Sequence, residues 1–150
     1  MSDRDLVLTR LIGAPRPLVF KAWTDPSHIA RWWGPKGFVT IDHEMDVRPG
    51  GSYQFRMRGP DGVDLRKRGV YQEIVAPERV VFTFAWADEH GRPGNQTLIT
   101  VTLEDRGAQT LLTLRQENFD NVENRDSHVV GWTSCLERFA EYMISRESLT

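Results

Sequence analysis

The stretch Val129-Val130-Gly131-Trp132-Thr133-Ser134-Cys135-Leu136-Glu137-Arg138-Phe139-Ala140-Glu141-Tyr142-Met143 decides the fold. Val129, Trp132, Leu136, Phe139 and Met143 recur at intervals of three and four, which places all five on one face of a helix. Upstream, from Val39 to Gln116, the chain reads almost entirely as short alternating strands. A helix with one apolar face after such a sheet closes either a solid core or a pocket.

Working back from that helix, Gln109 to Gln116 and Gln96 to Glu104 read as strands joined by Asp105, Arg106 and Gly107. Their inner faces carry Leu112 and Leu114, and Ile99, Val101 and Leu103. Arg79 to Trp86 puts Val80, Phe82, Phe84 and Trp86 on one face, and the strand before it ends near Val75. Tyr53, Phe55 and Met57 alternate with Gln54, Arg56 and Arg58 after a turn at Pro49-Gly50-Gly51. In Val39 to Val47 the odd positions, Val39, Ile41, His43, Met45 and Val47, are assigned inward.

Leu6 to Ile12 is an opening strand. Pro15 or Pro17 suits the first turn of a helix that carries Leu18, Phe20, Ala22 and Trp23. Asp25 followed by Pro26 starts a second, short helix with Ile29, Trp32 and Trp33, which stops at Gly34-Pro35. Asp120 and Glu123 resemble a capping box for the last helix, with Asn124 and Ser127 as alternative starts. Strands grouped apart from helices predict an α+β domain with an antiparallel sheet rather than a parallel one.

The totals bound the function. At 150 residues, one domain spanning 1–150 is expected. The balance of 19 basic and 21 acidic residues, with no long block of either sign, argues against nucleic acid as a partner. The local excess Arg56, Arg58, Arg66, Lys67 and Arg68 reads as an anionic docking patch or, more ordinarily, a solvated face. No run is long and apolar enough to span a membrane and no export signal precedes the first strand, so a cytoplasmic protein is expected. Cys135, the single cysteine, is expected to be a buried, reduced thiol; a reactive one would need a basic neighbour that the spacing does not supply.

Four motifs carry a resemblance: Trp32-Trp33-Gly34-Pro35, Asp46-Val47-Arg48-Pro49-Gly50-Gly51, Gly69-Val70-Tyr71 leading to Pro77-Glu78-Arg79-Val80-Val81-Phe82-Thr83, and Gly131-Trp132. Together, and in this order over nearly the whole chain, they resemble the family named for homology to the activator of the heat-shock-ninety ATPase. The resemblance implies the START-like helix-grip fold: a curved antiparallel sheet of six or seven strands wrapped around a long C-terminal helix, two short helices after strand 1, and a cavity between sheet and helix. Eukaryotic activators engage the chaperone through a separate N-terminal domain, for which the few residues before the first strand leave no room. Single-domain bacterial relatives include ligand carriers and polyketide cyclases, so the site itself has to carry the functional argument.

The inward apolar residues, mostly aromatic, are the candidate binding surface, because they offer apolar area with an occasional polar handle. They comprise Tyr53, Phe55, Phe82, Phe84, Trp86 and Leu114 of the sheet and Trp132, Leu136 and Phe139 of the helix, with Trp32 and Trp33 near the mouth. Core packing is the ordinary alternative for each. His43, if inward, would orient a ligand or act as a base. Gly131 weakens the helix by about 1 kcal/mol relative to alanine, which suggests close backbone approach or local give. No two histidines have metal-ligand spacing, and no nucleophile elbow, phosphate loop or dinucleotide fingerprint is present, so no metal or cofactor is expected. The expectation is a binder of a small hydrophobic or amphipathic molecule, as monomer or homodimer. A chaperone-linked or regulatory interaction protein is the alternative, and a cyclase or lyase using His43 the third.

Overall fold

The computed structural model describes residues 5–148 apart from 89 and 91. Its elements are β1 (Leu6–Ile12), α1 (Arg16–Thr24), α2 (Pro26–Trp32), β2 (Val39–Met45), β3 (Ser52–Arg58), β4 (Asp64–Val75), β5 (Arg79–Ala87), β6 (Thr97–Arg106), β7 (Gln109–Glu117) and α3 (Val122–Ser148). The seven strands form one antiparallel sheet in the order β1-β7-β6-β5-β4-β3-β2. The two short helices carry the chain from one edge of this sheet to the other, and α3 completes the helix-grip arrangement. No helix among the described residues is long and apolar enough to cross a membrane.

Local chemistry explains the boundaries. Pro17 occupies the first turn of α1, where its missing N–H removes no helical bond. The Asp25 carboxylate accepts from the Ser27 amide at 2.9 Å and caps α2 ahead of Pro26. That helix ends where Gly34 takes φ +123°, a conformation that side chains other than glycine's rarely adopt. At α3 the cap is Asn121 rather than Asp120: Asn121 Oδ1 accepts from the Asn124 amide at 2.7 Å, and Asp120 instead receives the Asn124 side-chain amide. The helix is 27 residues long and starts one position later than a box beginning at Asp120 requires.

Alternation holds through β6 and β7, where Thr97, Ile99, Val101 and Leu103, and Thr110, Leu112, Leu114 and Gln116, are buried. On β2 it does not. The register shifts between Thr40 and Asp42, so Ile41 falls in a bulge and both Val39 and Ile41 are exposed, while His43 and Met45 beyond the bulge turn inward. Only half of the predicted inner face of this edge strand therefore exists.

The core lies between the sheet and the three helices. Trp32 is fully buried, its ring centroid 4.6 Å from that of Phe139 and 4.5 Å from that of Trp23, and its indole N–H donates to the Ala22 carbonyl at 2.9 Å. Burying each large apolar side chain of this cluster is worth roughly 1.5–3 kcal/mol.

Candidate functional site

Antiparallel register builds the floor of the site. His43, Phe55, Lys67 and Trp86 stand opposite one another across β2, β3, β4 and β5 and form one row on the inner face of the sheet. Above the row, Trp33 leaves the end of α2, and α3 presents Asn124, Ser127, His128, Gly131, Trp132 and Cys135 at helical spacing. A cavity of about 120 Å³ lies between them, walled by Trp33, Phe84, Trp86 and Trp132. Two of these walls are held in place by polar bonds.

The Trp132 indole N–H donates to Gln116 Oε1 at 2.8 Å. The Gln116 amide donates to Thr97 Oγ1 at 2.8 Å, and Thr97 donates to the Phe84 carbonyl at 3.0 Å. Gln116 has no exposure at all, so this chain satisfies groups that water cannot reach. The Trp86 indole N–H donates to His128 Nε2 at 3.0 Å, and His128 Nδ1 stands 2.9 Å from the Asn124 carbonyl. An indole only donates and a carbonyl only accepts, which fixes His128 as the neutral tautomer protonated on Nδ1. Burial pulls its pKa below the ordinary histidine value, outweighing the Asn124 bond and the charge of Asp120.

Lys67 departs furthest from the sequence reading. Grouped there with a solvated cluster of arginines, it is 3% exposed, with Nζ 3.6 Å from the centroid of the Trp33 ring and 4.9 Å from that of Phe55. Burial lowers its pKa from 10.5 to about 7; the buried Cys135 opposes that fall and the Arg138 charge adds to it. A fall of that size corresponds to about 5 kcal/mol, whereas two ring faces return about 0.5–2 kcal/mol to an ammonium, so desolvation wins. Parity held the clue. Tyr71 is inward, and counting back by twos along β4 reaches Gly69 and then Lys67; the flanking Arg66 and Arg68 concealed it.

Cys135 is buried and free, as expected of it, and its basic neighbours are Lys67 and Arg138. They do not activate it. Burial pushes the thiol up more than the Gly34 amide, 3.4 Å from the sulfur, and the two cations pull it down. Arg138 is spent on the adjoining segment: its guanidinium donates to the carbonyls of Gly34 and Pro35 at 3.4 Å, of Phe38 at 3.0 Å and of Arg31 at 3.1 Å. Close by, Lys36 donates from its backbone to Ser134 Oγ and from its side chain to Glu137 and Glu141.

The remaining candidates divide. Trp33, Phe84, Trp86 and Trp132 line the cavity. Tyr53, Phe82, Leu114, Leu136 and Phe139 are buried in the core, and Trp32 lies there too, not at a mouth, because its ring is enclosed by Trp23 and Phe139. Phe55 stacks on His43 with centroids 5.8 Å apart, and His43 Nδ1 is buried with no hydrogen-bond partner among the described residues. Both border a separate polar groove of about 540 Å³ whose other residues include Asp42, Glu44, Arg56, Arg66 and Arg68. Gly131 has no neighbour within 4 Å of where a Cβ would stand, so it marks open space and not a close backbone contact. Among the described residues no three His, Cys, Asp or Glu side chains are grouped to hold a metal.

The seven-stranded antiparallel sheet, the long C-terminal helix and the two short helices define a START-like helix-grip protein. Residues 13–143 match the family model described as activator of Hsp90 ATPase homolog 1-like protein, and the chain belongs to that family. A crystal structure of a protein of this family from Silicibacter pomeroyi is 26% identical, with 95% of this chain and 99% of that one covered and a TM-score of 0.85. An NMR structure of a protein from Arthrobacter aurescens is 27% identical over 91% of this chain and 86% of that one, with a TM-score of 0.78. A crystal structure of a Nitrosomonas europaea protein shares the fold at 23% identity, with both chains fully covered and a TM-score of 0.81. Among curated proteins, none matches the chain.

Proposed function

We propose that the chain binds a small hydrophobic or amphipathic molecule in the cavity between the sheet and α3. The observation that carries this reading is that the aromatic walls are held back from the void. Trp132 is anchored to Gln116, Trp86 to His128, and Gly131 leaves the helix bare where a side chain would have filled the space. At about 120 Å³ the cavity falls below the several hundred ångström cubed of a drug-sized site. It approaches the engineered apolar cavities of about 150 Å³ that take benzene, so the ligand, or the part of it that enters, is the size of one small ring.

The test is a thermal-shift and NMR screen with toluene, indole and benzyl alcohol, run on the wild type and on Gly131→Leu, whose added side chain projects into the void. Binding that raises the melting temperature of the wild type and is lost in the leucine variant supports the reading. Absence of any response in the wild type, or an equal response in both proteins, overturns it.

A further inference from the structure

Lys67 is unlike the two other lysines, Lys21 and Lys36, which are both exposed. Lys36 is exposed and sits between two carboxylates, at 3.0 Å from Glu137 and 3.1 Å from Glu141. Lys67 is buried, and among the described residues its amine has no hydrogen-bond acceptor and no carboxylate partner; ring faces are its close company. No acidic side chain lines the aromatic cavity; Asp42 and Glu44 line the polar groove on its other side. The residue borders both the aromatic cavity and the polar groove, so a partner arriving from solvent can reach the amine, and an ammonium held against ring faces gains most from one that brings an acceptor.

We propose that the cavity takes a small carboxylate, an aromatic or short branched acid of about one ring, with its carboxylate on Lys67 and its apolar body against Trp33, Phe84 and Trp132. This rests on the ligand-binding reading above and names the class of ligand. A single cation among apolar walls suits a monoanion; a phosphate dianion would need several donors that the walls lack. A carbonyl compound condensing with the amine would need a second group to shuttle protons. His128 has both ring nitrogens engaged, and the Cys135 thiol is held un-ionised by burial.

The ion pair couples binding to protonation. Cys135 and Arg138 act on Lys67 from α3, and His128 lines the same cavity; Tyr53 and Tyr71 are buried in the core beside it, Tyr53 against Trp33, and His43 lies beyond Phe55. The polar groove that also borders Lys67 carries Asp42, Glu44, Arg56, Arg66, Arg68 and His90. Burial pushes the Tyr53, Tyr71 and Cys135 groups up and His128 down, so each keeps one charge state between pH 7 and 8.5 while the free Lys67 amine loses its proton. A carboxylate then binds with uptake of that proton. Its affinity falls about tenfold per pH unit above 7.

Isothermal titration of benzoate against benzyl alcohol, in two buffers of different ionisation enthalpy, separates the possibilities. The expected result is benzoate binding with uptake of about 0.9 proton at pH 8, weakened about 10- to 100-fold in Lys67→Met, with benzyl alcohol bound by both proteins. Benzoate affinity independent of pH in the wild type, or unchanged by the methionine substitution, overturns the carboxylate proposal and leaves the cavity reading standing if benzyl alcohol binds. Failure of both ligands overturns the two together. A borohydride-stabilised adduct of benzaldehyde on Lys67, with no benzoate bound, overturns the proposal in favour of carbonyl capture.

Discussion

Replacing Lys67 by methionine removes an amine and leaves an unbranched chain of similar length among the same rings. With a folded-state pKa of about 7 against 10.5 in the unfolded chain, the cost is complete below pH 7, where both states hold the proton, and amounts to about 5 kcal/mol. Between pH 7 and 10.5 the unfolded chain alone holds it, so wild-type stability rises by about 1.4 kcal/mol per pH unit. From pH 6 to 8.5 the expected gain is about 2 kcal/mol, and Lys67→Met shows none of it. Above about 9 the raised Cys135 thiol opposes the trend, because the unfolded thiol ionises first, so the comparison stops at 8.5. Urea denaturation of both proteins at four pH values measures the difference. At pH 6 the variant is expected to be more stable by several kcal/mol, with the gap narrowing as pH rises. A flat wild-type profile, or a variant less stable at pH 6, refutes the reasoning, since the ammonium would then be satisfied in the folded state.

Gly131→Ala is expected to raise stability by up to about 1 kcal/mol, because the new methyl meets open space and the helix gains propensity; a lower melting temperature by circular dichroism would contradict the open geometry. Trp132→Phe keeps a ring in the wall but orphans the buried Gln116 oxygen, at about 1–3 kcal/mol in denaturant midpoint, and Trp132→Ala costs about 3–5 kcal/mol through the cavity it opens. Asp25→Ala removes the α2 cap and should cost about 1 kcal/mol. The Asp25 contribution is present above the unfolded value of 3.8 and is lost as pH falls through the lower folded value, so wild type and variant converge in acid.

The periodicity of α3 was legible because an apolar face at 3.6-residue spacing has few other uses. Alternation in β6 and β7 was legible because paired interior strands cannot slip without turning Ile99 or Leu112 to water. The edge strand β2 was misread where one bulged residue reverses parity, an event that leaves no mark on the alternation of Val39, Ile41 and His43. The cap moved by one residue because Asp120 and Asn121 are both competent and only geometry chooses between them. Lys67 was hidden by composition: three consecutive basic residues look solvated, although alternation sends the middle one to the opposite face. The size of the void was not legible at all, because it depends on how far the sheet stands from the helix. Nothing in the string of residues states that Trp132 and Trp86 are tied back from each other.

The Arg138 guanidinium gives the cavity two ends that differ in how they fluctuate. At the Gly34-Pro35 end, displacing the backbone breaks that cation's bonds to four carbonyls together with the Lys36 contacts to Ser134, Glu137 and Glu141. At the opposite end, swinging Trp86 away from His128 breaks one hydrogen bond at 3.0 Å. Local opening follows the least costly route, so under the proposed binding function a small molecule is expected to exchange past Trp86 and the first turns of α3, with the crossing between α2 and β2 as a fixed jamb. The wall expected to give first is an indole resting on an imidazole.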